Sequence, residues 1–216
     1  MFWKNIKSFF AACLDLLAPR CCPGCDVEHP AGFDGFCEVC EPLLERLNSK
    51  QDKAPAINAA LILYGGPLAE GIKSFKYKSR TDYAKALRSL LCEQVHTYQP
   101  LVDIVVPVPL HARRLRQRGY NQCALLARAV ARSIKKPLRC GVLLRVRDTV
   151  PQVGLGGLAR ISNVQGAFRA TNDVKGLRIL LIDDVRSTGA TLSESAGALR
   201  AQGAKKVYTL VLARGD

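Results

Sequence analysis

Apolar positions along the chain fall into two kinds of pattern that alternate. Short stretches without polar alternation read as buried strands: Ile57 to Tyr64, Asp103 to Val108 (DIVVPV), Val142 to Val146, Arg178 to Ile182 (RILLI) and Lys206 to Ala213. Between them, apolar residues recur at helical spacing over Leu68 to Tyr77, Asp82 to Thr97, Asn121 to Ser133 and Ala190 to Ala201. Strands that are apolar on both sides belong in a parallel sheet covered on both faces. The expected fold class is therefore α/β, a mostly parallel sheet with helices on both faces. Ligands of such sheets bind beyond the carboxyl ends of the strands.

Upstream of residue 57 the pattern changes. Residues 21–40 are rich in Cys, Gly and Pro and lack periodicity, as a loop-built module does. Pro42 to Leu47 reads as a short helix, and the polar run Asn48 to Pro55 as a linker. Two units are expected: residues 1–50, with an amphipathic helix and the cysteine module, and residues 57–216, the α/β domain. Within residues 1–20, Lys4 and Lys7 precede Phe9, Phe10, Ala11 and Ala12, but that apolar run is shorter than the roughly 7–15 residues of a signal-peptide core. Ile6, Phe9, Phe10, Cys13, Leu14 and Leu17 follow helical spacing instead. This spacing favours a helix packed on its own protein. The alternative is a helix at a membrane surface or partner, with Trp3, Lys4 and Lys7 at the interface.

Composition narrows the class. Apolar residues make up 48% of the 216, enough for a sizeable core, and no window of 18 consecutive apolar residues offers a membrane span. The formal charge of +14, from 32 Lys and Arg against 18 Asp and Glu, attracts polyanions such as nucleic acid or phosphorylated metabolites. The nine cysteines are odd in number, and four form the pairs Cys22-Pro-Gly-Cys25 and Cys37-Glu-Val-Cys40, eleven residues apart. That pattern points to reduced thiols holding a metal in a cytoplasmic protein rather than to a secreted disulfide framework. Four thiolates at about 2.3 Å suit a tetrahedral zinc ion. Cys21 is an alternative to Cys22, and His29 a poor substitute. Cys92 and Cys123 lie in apolar helical patterns and read as core residues.

Chemistry concentrates in Ile179 to Thr191 (ILLIDDVRSTGAT). An apolar strand ends on Asp183 and Asp184, then Ser187, Thr188, Gly189, Ala190 and Thr191 turn into a helix. The unpaired N–H groups of a helix start, the close approach allowed at Gly189 and the three hydroxyls make a phosphate cradle. Two carboxylates beside it suit a sugar diol or a ligand-borne magnesium ion. The run resembles the phosphoribosyl pyrophosphate (PRPP) signature of type I phosphoribosyltransferases. The resemblance implies that Asp183 and Asp184 hold the ribose hydroxyls, that Ser187 to Thr191 hold the 5′-phosphate, and that magnesium arrives with PRPP. Arg186 stands where that family commonly has a small or hydroxylated residue.

A second basic segment follows the strand DIVVPV: Pro109, Leu110, His111, Ala112 and Arg113, then Arg114, Arg116 and Arg118 in what reads as a loop, with Asn121 placed to cap the next helix. The segments PVPLHARRLRQRGYNQ, Leu144 to Arg147 with Thr149 and Gln152, RISNVQGAF and the PRPP run, in this order behind a cysteine module, resemble the ComF family of competence-type phosphoribosyltransferase proteins. That resemblance implies a type I phosphoribosyltransferase fold with an N-terminal zinc ribbon. It makes Pro109 to Arg113 the pyrophosphate loop and residues 147–166 the loop that closes over PRPP, with Arg147, Gln152 and Arg160 in it. Arg118, Gly119, Asn121 and Gln122 belong to the family motif. It further implies work in DNA uptake on the cytoplasmic side, next to the inner membrane, with single-stranded DNA and competence helicase or membrane-channel proteins as partners. The acceptor side is bare by comparison. Ser187 stands where purine-salvage relatives carry an acidic base, no lysine lies between Arg145 and Phe168, and the chain ends soon after its last strand. A soluble transferase acting on a small nucleophile is the alternative reading.

Overall fold

The computed structural model describes residues 20–30, 33–47, 58–93, 95–149 and 162–215. The expected helix over residues 1–20, apart from Arg20, the linker, and Gln152 and Arg160 of the closing loop lie outside the described residues. In chain order the elements are β1 (Asn58–Leu63), α1 (Gly66–Tyr77), α2 (Ala84–Cys92), β2 (Ile104–Pro107), α3 (Ala112–Arg118), α4 (Gln122–Ser133), β3 (Leu143–Arg145), β4 (Phe168–Ala170), β5 (Arg178–Arg186), α5 (Ala190–Ala201) and β6 (Lys206–Arg214). The main sheet runs β1-β6-β5-β2 and every pairing in it is parallel. A small antiparallel pair joins β3 to β4. The α/β expectation holds.

The apolar strands serve two cores. Leu180, Ile182, Tyr208, Leu210 and Leu212 face α1, α2 and α4, with Phe75, Leu87, Leu91, Leu126 and Val130 among the side chains of that layer. Ile179, Leu181, Val207 and Val211 face α5 and the β3–β4 pair, through Leu192, Ala196, Leu199, Leu143 and Phe168. Alternate residues of one strand thus enter opposite cores, so the run Ile179 to Ile182 has no polar position to spare.

Four elements differ from the sequence expectation. β5 does not stop at Ile182 but continues through both aspartates to Arg186, because its register with β6 carries on to the pair Arg186–Arg214. The arginine-rich segment is not a loop: His111 accepts from the Arg113 backbone N–H to cap α3, and Gly119, at φ 81°, ends it in the left-handed conformation. The expected helix over 82–97 breaks after Cys92 and gives way to a 3-10 stretch, Val95–Leu101, which contains Pro100. The expected Pro42–Leu47 helix is a single 3-10 turn, Glu41–Leu43. Beyond it the chain straightens: Leu47 N–H donates to Leu61 O at 2.8 Å and Leu63 N–H to Glu45 O at 2.9 Å, which covers the open edge of β1.

The cysteine module seats on α1. Cys22, Phe36, Cys40 and Leu44 are buried in one cluster with Leu68, Ile72 and Phe75. Two glycines make the approach close enough. A Cβ at Gly24 would lie 2.5 Å from Pro67 Cβ, and one at Gly71, inside α1, would lie 2.9 Å from Pro23 Cβ. Glycine within a helix costs roughly 0.5–1 kcal/mol against alanine; here the contact with Pro23 requires it.

Candidate functional site

β2 and β5 are neighbours in the sheet, and their carboxyl ends open a cavity of about 160 Å³. Asp183 and Asp184 form its floor, both buried. Asp183 Oδ1 accepts from the Cys123 thiol at 3.1 Å and from the Asp184 backbone N–H at 2.9 Å. Asp184 Oδ1 meets Lys76 Nζ, from the last turn of α1, at 2.8 Å. Burial, reinforced by the Asp184 charge, pushes the Asp183 carboxyl up to about 6. Burial, with the charges of Asp183 and Asp184 behind it, drives the Cys123 thiol far up as well. Burial opposes a charge on Lys76, yet the Asp184 carboxylate overrides it and raises the ammonium above its ordinary value.

The walls are basic. Arg114 and Arg118 line the cavity, as do Pro109, Leu110, Gln122, Arg145 and Thr191. Positions four apart on a helix share a face, so α3 turns Arg114 and Arg118 inward. Arg113 points elsewhere: its side chain is 67% exposed and sits 3.4 Å from Asp148. The sequence expectation assigned the inward role to Arg113; the helical turn gives that place to Arg114 and Arg118. Arg118 donates to Gln122 Oε1 at 2.5 Å, and Arg114 donates to the Thr149 carbonyl. Arg145 donates to the Thr149 hydroxyl. Burial, and then the Arg114 charge, pull the Arg145 guanidinium down. Asn121 caps α4, accepting from the Cys123 backbone N–H at 2.9 Å, while its amide donates to Val108 O at 3.0 Å. That pair of hydrogen bonds pins the start of α4, and so Cys123, to the end of β2.

Two buried polar atoms of this cavity's residues lack a hydrogen-bond partner among the described residues: the acceptor Asp184 Oδ2 and the donor Arg145 Nε. Unpaired buried groups cost about 1–3 kcal/mol each, and both of these belong to residues that line the cavity. Of the remaining expected residues, Ser187, Thr188 and Gly189 line a neighbouring cavity rather than this one. His111 caps α3, Ala112 is its exposed first residue, and Ala190 opens α5. Arg147 donates to the Asn163 carbonyl at 2.9 Å. Sequence reasoning missed Lys76, Cys123 and Arg145. Only the tertiary fold brings α1, α4 and β3 to the end of β5, and no spacing in the chain announces it.

The second centre is the four-cysteine cluster. The sulfurs of Cys22, Cys25, Cys37 and Cys40 lie within 4.8 Å of one another. Cys25 and Cys37 Sγ are 3.6 Å apart, and the Gly24 and Cys37 backbone N–H groups donate to Cys22 Sγ at 3.4 and 3.3 Å. Backbone N–H groups, that of Cys40 foremost, lower the Cys37 thiol to about 7. Four converging sulfurs with N–H donors aimed at one of them fit a single tetrahedral ion such as zinc. His29 is engaged with the Gly35 carbonyl at 3.1 Å, outside the set. Among the described residues no helix is long and apolar enough to cross a membrane.

Residues 121–216 match the phosphoribosyl transferase domain family. The chain is 34% identical over 203 residues to the DNA utilization protein YhgH of Salmonella typhi, an alignment spanning 92% of this chain and 84% of the relative. It is also 34% identical over 221 residues to competence protein F of Haemophilus influenzae, covering 98% of this chain and 87% of that one. Among solved structures, glutamine phosphoribosylpyrophosphate amidotransferase from B. subtilis superposes with a TM-score of 0.44 at 21% identity, over 64% of this chain and 30% of that one.

Proposed function

The chain belongs to the ComF family of competence proteins, and from that premise we propose that it is a PRPP-binding, phosphoribosyltransferase-like factor of DNA uptake that contacts single-stranded DNA on the cytoplasmic side. The observation that carries the PRPP half is the orphaned pair in the cavity, Asp184 Oδ2 seeking a donor and Arg145 Nε seeking an acceptor. A ribose diol donates to the first, and a pyrophosphate oxygen accepts from the second. Asp183 and Asp184 hold the diol, with Lys76 paired to the other oxygen of Asp184. Arg114, Arg118 and Arg145 neutralise the pyrophosphate beside Pro109 and Leu110. The turn Ser187 to Thr191 receives the 5′-phosphate at the start of α5. Magnesium accompanies PRPP, and zinc holds the cysteine module of the N-terminal unit. Peripheral contact with the inner membrane, through residues 1–20, belongs to the same reading.

The DNA half rests on the names of the relatives and on the charge of +14. Phosphate-led binding falls steeply with salt and depends little on sequence. The test has two arms. PRPP with magnesium is titrated into the wild-type chain and into Asp183→Asn/Asp184→Asn; saturable binding in the first and none in the second is expected, and equal affinity ends the site assignment. An oligothymidylate is titrated at several salt concentrations; absence of binding at low salt removes DNA and leaves a soluble transferase acting on a small nucleophile.

A further inference from the structure

A cavity of about 300 Å³ opens beside the acidic pocket, between the last turn of α1 and the face of α3. The two spaces share Lys76, Tyr77, Arg114 and Arg118, and the outer one adds Ser79 and Gln117. Asp183 and Asp184 are not in its lining, and among the described residues no carboxylate is. Lys76 is engaged with Asp184, and Arg114 with the Thr149 carbonyl. Tyr77, Arg118 and the polar side chains of Ser79 and Gln117 remain to meet a ligand.

Tyr77 has no part in the core. α1 buries Leu68, Ile72 and Phe75, and Tyr77 stands off that stripe with 65% of its surface exposed. The other large apolar side chains exposed on the described α/β domain are Leu115, Leu144 and Val146, so Tyr77 is the one aromatic among them. The Arg118 guanidinium carbon lies 5.4 Å from the centre of its ring, within reach of a cation–π contact. The same guanidinium donates to Gln122 Oε1 at 2.5 Å. A planar cation uses its face and its edge at once. The two walls are also tied together. Tyr120, one residue past the Gly119 that ends α3, donates its hydroxyl to the Phe75 carbonyl and sets its ring 5.8 Å from that of Phe75. The last turn of α1 and the end of α3 therefore keep their spacing without a ligand. An exposed ring, a guanidinium over it and an acid-free lining suit a flat aromatic group that carries negative charge nearby.

We propose that this cavity is a nucleobase platform, on which one base of a single strand stacks against the Tyr77 ring. Arg118 flanks the stack, and Ser79 and Gln117 offer hydrogen bonds to the edge of the base. The proposal rests on the DNA half of the reading above and gives it a place on the molecule. Every base has a face to stack, so such a platform grips a strand without choosing its sequence. The base sits next to the acidic pocket, outside the carboxylates that hold the diol.

The probes are two single strands of about eight nucleotides and equal charge, an oligothymidylate and the same backbone with abasic sites. Each is titrated into the full metal-loaded chain at low salt and followed by fluorescence anisotropy. Wild type is expected to prefer the strand with bases by roughly tenfold, the worth of one stacked base. Tyr77→Ala should erase that preference and Tyr77→Phe should keep it. The salt slope should be the same in all three, because no charge changes. Thermal unfolding of Tyr77→Ala should match wild type, since the side chain it shortens is exposed. Equal binding of the two strands by wild type overturns the platform and leaves phosphate-led DNA binding in force. A preference that survives Tyr77→Ala does the same. If neither strand binds, the DNA half of the reading falls, and thymidine monophosphate becomes the probe. Saturation transfer from the protein to its ring protons, present in wild type and lost in Tyr77→Ala, supports the platform with a free nucleotide as the source of the base. Absence of that transfer, with no strand bound, overturns the platform as well.

Discussion

Asp183→Asn should make the protein more stable at neutral pH while abolishing its ligand. The Asp183 carboxyl is held at about 6 against an ordinary 3.8, first by burial and second by the Asp184 charge. A group whose folded pKa is raised binds its proton more tightly in the folded chain than in the unfolded one. It favours folding below about pH 4 and withdraws that support as pH rises through about 6. A difference of about two units, at about 1.4 kcal/mol each, puts the cost of the ionised group at about 3 kcal/mol at pH 7. Asparagine keeps an Oδ1 to accept from the Cys123 thiol and the Asp184 N–H, bonds of 3.1 and 2.9 Å in the wild type. The variant therefore sheds the charge without orphaning its donors. At roughly 2–4 °C per kcal/mol for a chain of this size, Tm should rise by roughly 6–12 °C at pH 7, and the gap should close towards pH 4. Circular-dichroism melts of both metal-loaded proteins at three pH values measure this. A variant less stable than wild type at pH 7, or a gap that does not change with pH, refutes the reasoning.

Three further outcomes follow from the same geometry. Lys76→Met strips Asp184 of its ion pair at 2.8 Å and should cost about 3 kcal/mol, largely restored by adding Asp184→Asn, in a double-mutant cycle of denaturant midpoints. Gly24→Ala forces a Cβ to within 2.9 Å of Cys40 Sγ and should speed metal release to a chromophoric chelator; retention equal to wild type would show that the clash is relieved. Arg114→Ala should weaken PRPP by about tenfold and Arg113→Ala hardly at all, whereas Arg116→Ala should lower the salt slope of DNA binding by about one and leave PRPP alone.

The two acidic residues and the turn after them were legible because local pattern alone defines them: an apolar strand, a carboxylate pair, a hydroxyl-rich helix start. α3 was not, because helical periodicity is read from apolar residues and α3 buries none of its own. Only its ends carried a signal, His111 and Gly119. Cys123 was correctly expected in the core, being fully enclosed, but nothing in an apolar helix tells which side chain lies against a carboxylate from a distant strand. Lys76 reads as one more surface cation in FKYKSR; its partner appears only when α1 crosses the end of β5. β4, three residues long, is too short to show a period. The four cysteines converge as their spacing required, since two knuckles of fixed geometry leave little else to choose.

Helix α1 touches both centres. Its first turns are wedged against Pro23 and Gly24 of the cysteine module, and its last turn delivers Lys76 to Asp184. A helix does not stretch, so whatever shifts one end is felt at the other. Oxidising or demetallating the four thiols is thus not damage confined to an appendage. It unseats the rod that carries the counter-ion, and the acidic pocket inherits the disturbance. The same linkage argues against trimming the protein to its α/β domain: a fragment beginning at residue 57 would leave Leu68, Ile72 and Phe75 without their Cys22, Phe36 and Leu44 neighbours and the lysine without a fixed bearing.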